Sequence, residues 1–558
     1  MFIFFLILLF VVIPTAIFDP DINDRCSSET NESECCYNYF NATMSGVVVL
    51  DLVQGTGWME RTLFFYGYYP NIVFTYKSFH YNLPLAYILI IIVAFFFSLM
   101  VIVRSASRDF KDRLVENEGQ FYQYCNTIFG GWDFCIQNAK SAEMKSKAIY
   151  NELVGRLDTE KLREERRNRT TKERVKLITI RITVNLLVIA VLAVCGGAIY
   201  YIFNLSASHR NENDLIGLLY EFLPSLTIVC MNIIVPFIFK FVVIFERYSP
   251  MFIVQITLFR TILLRLSSLI VLYATLYTVV SSELGENETC TSSDRETPLL
   301  CWESFVGQNI YRLALTDFAT HVVLTFFVNF PRALIERNSN SKIAKLIGEQ
   351  DFDLPKHVLD IVYIQTLCWL GTFYAPLLPV MFIIIFFLMF YIKKFACLVN
   401  SKPGNVIHRA SRSNSMFMTV LLVSYIVALL PVAYSVAEIR PSPSCGPFWN
   451  LPTVWHVIEV TFKGTPAFVR ELTSFMTTAF FIIPFFIVLL LLIYYYVAVN
   501  SANRHMVLVL KEQLVLEGHD KQFLLERVNM FISQQQEMQK QLRRAEMAHE
   551  GERNALSN

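Results

Sequence analysis

The chain has 558 residues, of which 54% are hydrophobic and 17% charged, against roughly 25% charged in an ordinary soluble domain. That apolar load, with 48 Phe and 26 Tyr, excludes both a soluble globule and a disordered chain. A net charge of +1 gives no strongly basic face for nucleic acid, so the composition points to a multi-span membrane protein.

A helix needs roughly 20 apolar residues to cross a bilayer core, whereas barrel strands show short alternating segments. The runs here are long and continuous, which predicts an all-α integral membrane protein with about ten transmembrane helices. The predicted spans are 2–18, 83–103, 179–203, 215–244, 254–280, 311–335, 357–375, 377–396, 416–436 and 474–499. The first lacks the basic flank and small-residue cleavage site of a signal peptide, so it reads as a first span in which the chain begins. The sixth and seventh are polar enough for a hydropathy window to miss.

Lys/Arg placement orients the spans. Segment 104–177 holds 16 Lys and Arg, whereas 19–82 holds Arg25, Arg61 and Lys77 alone. The first is therefore expected in the cytosol and the second outside. Four N-x-S/T sequons, at Asn31, Asn41, Asn204 and Asn287, fall in outside loops as glycosylation candidates, while Asn168 sits in the basic loop. Cys26, Cys35, Cys36, Cys290, Cys301 and Cys445 also fall outside, enough for three disulfides in an oxidising compartment. Proximity in sequence favours Cys290–Cys301. Cys125 and Cys135 have no His pair at zinc spacing, so no metal site is expected there.

Between the spans, Ser141–Leu157 carries apolar residues at near-helical spacing, and Glu160–Lys176 is a charged run suited to a connector or a docking surface. Pro376 and Pro379 suit a tight hairpin between spans 7 and 8. The tail 501–558 reads as a polar helix broken at Gly518, with Leu525, Val528 and Ile532 as an apolar stripe.

Polar groups inside the membrane concentrate in spans 4 to 7. They are Glu221 and Asn232, with Pro224 and Pro236 alongside; Arg260 and Arg265; Thr316, Asp317, His321, Thr325 and Asn329; and Asp360, Gln365, Thr366 and Thr372. Asp317, His321 and Thr325 recur at i, i+4 and i+8, one face of a helix. Spans 2, 3, 8 and 10 read as almost wholly apolar, apart from Arg181 and Asn185. For any single residue, interhelical hydrogen bonding is sufficient reason. Four consecutive polar spans point to a water-filled path, and carboxylates with few balancing cations favour cation passage along it. No catalytic, metal or cofactor pattern is present.

Residues 301–313 read CWESFVGQNIYRL. This resembles the signature of the transmembrane channel-like (TMC) family, close to CWETxVGQExYR, through Cys301, Trp302, Glu303, Gly307, Gln308 and Arg312. Ser304 replaces the usual Thr and Asn309 the usual Glu. Further blocks in the expected order, including QGTGWMERTLFFYGYY from Gln54, CGPF from Cys445 and 358–379, extend the resemblance over almost the whole chain. The resemblance implies ten spans with both ends cytosolic, in an anoctamin/OSCA-like bundle. It also implies a homodimer formed mainly through the tenth span, and a path in each subunit lined by spans 4 to 7. It implies cation conduction and cytosolic partners of the calcium- and integrin-binding type on the loop matching 104–177. Asn329 stands where members that conduct in hair cells carry Asp, which makes the path less negative; the acidic position before span 7 is kept at Asp353.

The expected function is a pore-forming subunit of a mechanosensitive, cation-permeable channel in the plasma membrane, not an enzyme. Its pore-lining residues would be Glu221, Asn232, Asp317, His321, Thr325, Asn329, Asp353 and Asp360. The alternatives are a non-conducting membrane scaffold and a lipid scramblase.

Overall fold

The computed structural model describes residues 2–18, 36, 39–40, 48–76, 79–116, 123–208, 215–248, 250–286, 301–338, 352–401, 410–449, 451–463, 467–468, 470–471 and 479–556. Two compact bodies divide at residue 461.

The first body is a helical bundle. Its elements in order are α1 (Ile3–Phe18), α2 (Val48–Gln54), the hairpin β1 (Val73–Tyr76) and β2 (Phe79–Asn82), α3 (Leu83–Glu116), α4 (Ala139–Asn168), α5 (Thr171–Ser208), α6 (Leu215–Val243) and α7 (Pro250–Glu286). Then come α8 (Trp302–Val323), a π segment (Leu324–Asn329), α9 (Phe330–Asn338), α10 (Leu354–Gly371), α11 (Leu378–Phe395), α12 (Ala410–Ala437) and α13 (His456–Lys463). Helices dominate because a backbone in hydrocarbon must satisfy its N–H and C=O groups within its own segment.

Seven helices among the described residues are long and apolar enough to cross a membrane, and two shorter apolar ones are Ile3–Phe18 and Ile487–Asn503. The seventh predicted span is α10. It falls outside those seven because polar residues interrupt it, yet most of its side chains are buried by α8, α11 and α12. Each of the ten expected segments overlaps a described helix; the sixth is divided by the π segment, and residues 474–478 of the tenth lie outside the described residues. The hairpin at Pro376 and Pro379 is a short turn in which Tyr374 and Ala375 donate backbone bonds to Gly371.

The second body holds α14 (Ala479–Leu556), 78 residues without interruption. The break expected at Gly518 does not occur. A Cβ there would meet nothing within 4 Å, so this glycine neither caps nor packs. Gly in an exposed helix costs about 1 kcal/mol relative to Ala, too little to end a helix of this length. Leu525, Val528 and Ile532 are exposed along it.

Candidate functional site

The signature residues lie at the end of the first body where α8 begins. Cys301 forms a disulfide with Cys445, Cα–Cα 5.8 Å, across 144 residues. The pairing expected with Cys290 is thus replaced, because folding brings the 440–449 loop onto the start of α8; Cys290 itself lies outside the described residues. Cys36 is disulfide-bonded as well. Glu303, fully buried, accepts a bond from the Ser442 amide at 2.9 Å and another from the Ser442 hydroxyl. Trp302 donates its indole N–H to the Arg440 carbonyl at 3.2 Å. Ser304 accepts the Gly67 amide at 3.0 Å, Tyr311 donates to the Leu52 carbonyl at 2.9 Å, and Arg312 Nε donates to the Gln54 carbonyl at 2.9 Å. Gly307 is required by close approach, since a Cβ there would stand 2.9 Å from the Tyr374 carbonyl oxygen. The signature is therefore a clamp. It fixes the first three turns of α8 against the 440–449 loop, the 65–67 turn and the end of α2.

Beside the clamp sits an aromatic cluster of Phe65, Tyr66, Tyr69, Tyr87, Phe373, Tyr374 and Phe448, all nearly or fully buried. Tyr66 and Tyr87 meet edge-on at 6.0 Å, and Tyr87 and Phe448 at 5.7 Å. Burial raises the Tyr66 and Tyr69 hydroxyls well above the usual phenol range, so both stay neutral. Gly446 adopts a left-handed φ of 85°, and a Cβ there would fall into the Tyr66 ring.

Deeper in the bundle, α6, α7, α10 and α8 form a closed ring, each packing on the next and α8 returning to α6. The candidate lining residues follow its length. At the clamped end, Glu221 on α6 faces the Arg312 guanidinium at 3.7 Å. In the middle, Asp360 on α10 is the hub. Arg265 of α7 reaches it at 2.5 Å and Lys393 of α11 at 2.6 Å, with His357 at 3.8 Å and His321 at 4.0 Å. Asp317 stands 3.6 Å from His321. Arg265 also lies over the Tyr363 ring at 5.3 Å. Asn232 packs by the Tyr363 hydroxyl, and neither side chain reaches hydrogen-bond geometry. Pro236, lacking an N–H, leaves the Asn232 carbonyl without its helical donor. At the other end, Asp353 pairs with Lys240 at 3.0 Å.

Two expectations change here. The i, i+4, i+8 face expected for Asp317, His321 and Thr325 assumes an α-helix throughout, but Leu324–Asn329, which holds Thr325 and Asn329, is wound as a π segment. The wider turn shifts the register. Thr325 is buried, its carbonyl accepting the Asn400 amide at 2.9 Å, and Asn329 is half-buried. The second change concerns charge. The sequence suggests carboxylates with few balancing cations, but Glu221, Asp353 and Asp360 each face a Lys or Arg from a neighbouring helix, and Asp317 faces His321. A carboxylate at this depth is costly unless paired, and its partner comes from across the bundle.

Lys393 belongs to a span read as almost purely apolar. Its position at the end of the run resembles an ordinary flanking lysine, and nothing in the linear pattern marks it as the partner of Asp360. Glu246 was likewise missed; it is fully buried against Arg260 at 2.7 Å, and Arg260 also donates to Asn185 at 2.8 Å. Asn204 lies exposed near the end of α5, and Asn31, Asn41 and Asn287 lie outside the described residues.

A family model for the TMC domain matches residues 301–411, which include the α8 side of the clamp, Asp317, His321, Asp353, Asp360 and Lys393. The human and mouse proteins named voltage-gated chloride channel TMC4 are 28% and 29% identical, over 91% and 89% of this chain and 70% and 72% of their own lengths. The chain belongs to the transmembrane channel-like family. Human transmembrane channel-like protein 5 is 30% identical over 86% of this chain and 46% of its own length, so the chain spans about half of that relative. As a TMC-family chain it is a channel-like, multi-pass membrane protein.

Proposed function

We propose that this chain is a pore-forming subunit of an ion channel whose path follows the α6–α7–α10–α8 ring, and that the path favours small anions. The observation that carries the reading is the charge arrangement. Glu221, Asp353 and Asp360 are each held by Lys or Arg, and Lys356 on α10 has no carboxylate within salt-bridge distance among the described residues. Rings of Lys and Arg suit anion passage as carboxylate rings suit cations. The TMC4 relatives are named for chloride, which agrees with this reading.

Cation passage, expected from the sequence, retains one support. Oxygens of Asp317 and Glu221 are buried without a hydrogen-bond partner. The two readings predict opposite results for one variant, Glu221→Gln/Asp317→Asn/Asp353→Asn. Removing three carboxylates takes one ion-pair partner each from Arg312 and Lys240, and leaves His321 with Asp360 alone of its two carboxylates. Anion current rises on the first reading, and cation current falls on the second. With a tenfold NaCl gradient, an anion-selective wild-type channel reverses near the chloride limit of about 59 mV, and a cation-selective one at the opposite sign. Reversal at the sodium limit in the wild type would overturn the anion reading.

Gating belongs to the same proposal. Pro224 and Pro236 in α6 are points where the ring can flex between two states, and Pro331 in α9 is a further flex point beyond the π segment that follows α8. Bilayer tension is the proposed stimulus, and the name of the TMC4 relatives adds voltage; the same patch recording applies both. The plasma membrane is the proposed location, and a homodimer through α14 the proposed assembly. Segment 487–499 of α14 is exposed and apolar along its length, which suits a helix–helix or lipid contact. Exposed Met144, Tyr150, Val154 and Leu157 on α4 support docking of a soluble calcium- and integrin-binding-type partner.

A further inference from the structure

An open groove of about 600 Å³ runs between α5 and α6, on spans whose lining takes no part in the polar ring. Its walls include Leu187, Val191 and Cys195 from α5 and Leu226, Cys230 and Ile234 from α6. The one hydroxyl in the lining, Thr227, is satisfied by the Leu223 carbonyl at 2.7 Å, so the surface is functionally apolar. Leu187, Leu226 and Ile234 are exposed, and both helices are long and apolar enough to cross a membrane. The groove therefore opens toward hydrocarbon.

One end of the groove is basic. Arg181 lies six residues before Leu187, about 9 Å along the helix axis. Its guanidinium stacks on the Tyr248 ring at 4.1 Å and donates to the Glu246 carbonyl at 3.4 Å, while its Nε is buried with no partner. Arg247 beside it ends the 3-10 turn Ile244–Glu246 that follows α6, in the left-handed conformation with φ 47°, and is exposed. Glu246, the acid packed among them, is already paired with Arg260. Two guanidiniums therefore stand beyond one end of an apolar groove, with no carboxylate of their own within salt-bridge distance among the described residues. The headgroup layer of a bilayer leaflet is roughly 5–8 Å deep, so with Leu187 at the edge of the hydrocarbon an arginine about 9 Å away stands at headgroup level or just beyond it.

We propose that the α5–α6 groove binds one anionic phospholipid, its acyl chain lying along Leu187–Cys195 and its phosphate held by Arg181 and Arg247. The end concerned is the one the basic segments assign to the cytosolic leaflet, where anionic lipids concentrate. The apolar wall sets where the chain lies. The guanidiniums set the choice of headgroup, since an anionic lipid keeps a net negative charge that phosphatidylcholine lacks.

The test is native mass spectrometry of the full chain, delipidated and then titrated with dioleoyl-phosphatidylglycerol or dioleoyl-phosphatidylcholine. Each basic side chain near anionic lipid is worth about fivefold in affinity, so the wild type is expected to prefer phosphatidylglycerol by roughly 5- to 25-fold at one site. Arg181→Gln/Arg247→Gln should bring that ratio close to one, and Arg181→Lys/Arg247→Lys should keep most of it. Cys230→Trp, which fills the groove, should lower retention of both lipids and leave the headgroup choice of the remainder unchanged. Melting temperature and a single gel-filtration peak establish that each variant is folded. Should the glutamine variant not fold, the lysine and tryptophan variants decide alone. A wild-type ratio near one, a ratio unaltered in the folded glutamine variant, or retention unaffected by Cys230→Trp would each overturn the proposal.

Discussion

Replacing Asp360 by Asn removes the charge at the hub of the ring while keeping its shape. Asp360 is 1% exposed and its two closest cations, Arg265 and Lys393, are 11% and 16% exposed. Breaking a buried ion pair by removing one partner typically costs about 3–5 kcal/mol, because the other charge stays buried without compensation. Here two cations lose their partner, which puts Asp360→Asn at the upper part of that range. Lys393→Met added to it removes one orphaned charge and leaves Arg265 over the Tyr363 ring, so the double variant should regain roughly 1–3 kcal/mol. The assay is equilibrium unfolding in mixed micelles, with all four members of the double-mutant cycle. The expected order is wild type, then Asp360→Asn/Lys393→Met, then Asp360→Asn. Stability of Asp360→Asn within about 0.5 kcal/mol of wild type, or a double variant no better than the single, would refute the hub.

Other consequences follow from the same contacts. Peptide mapping under non-reducing conditions should recover Cys301 linked to Cys445; a Cys290–Cys301 peptide would contradict the clamp. Cys445→Ser removes a link closing a loop of 144 residues, and the loss should be about 4–5 kcal/mol, read as a lower unfolding midpoint. Gly518→Ala should raise the helicity of the isolated 501–556 segment by circular dichroism, worth about 1 kcal/mol, since the position is helical and open; lower helicity would argue against the continuous α14. On α4, Lys147 donates to Glu143 at 2.9 Å and holds its carboxyl below the usual range. A depressed carboxyl contributes support that is present above its unfolded value and lost as pH falls through the folded one. Helicity of a 139–168 peptide should therefore fall on acidification through the carboxylate range, and Glu143→Gln should flatten that profile.

The sequence by itself determined the class of molecule, the position of each apolar helix and the clustering of polar groups in four consecutive spans. These are local properties: an apolar run long enough to cross a bilayer has one way to satisfy its backbone. It also carried the signature at 301–313, though not its role. The tertiary structure decided what that signature does, since Ser442, Gly67 and Gln54 are far from it in sequence and meet it only when the bundle closes. Tertiary structure also decided how the charges of the α6–α7–α10–α8 ring are balanced. Asp360 reads as a lone carboxylate along α10, and only the packing of α7 and α11 against it supplies Arg265 and Lys393. A buried charge is judged by what lies across the space between helices, and that distance is not written along the chain.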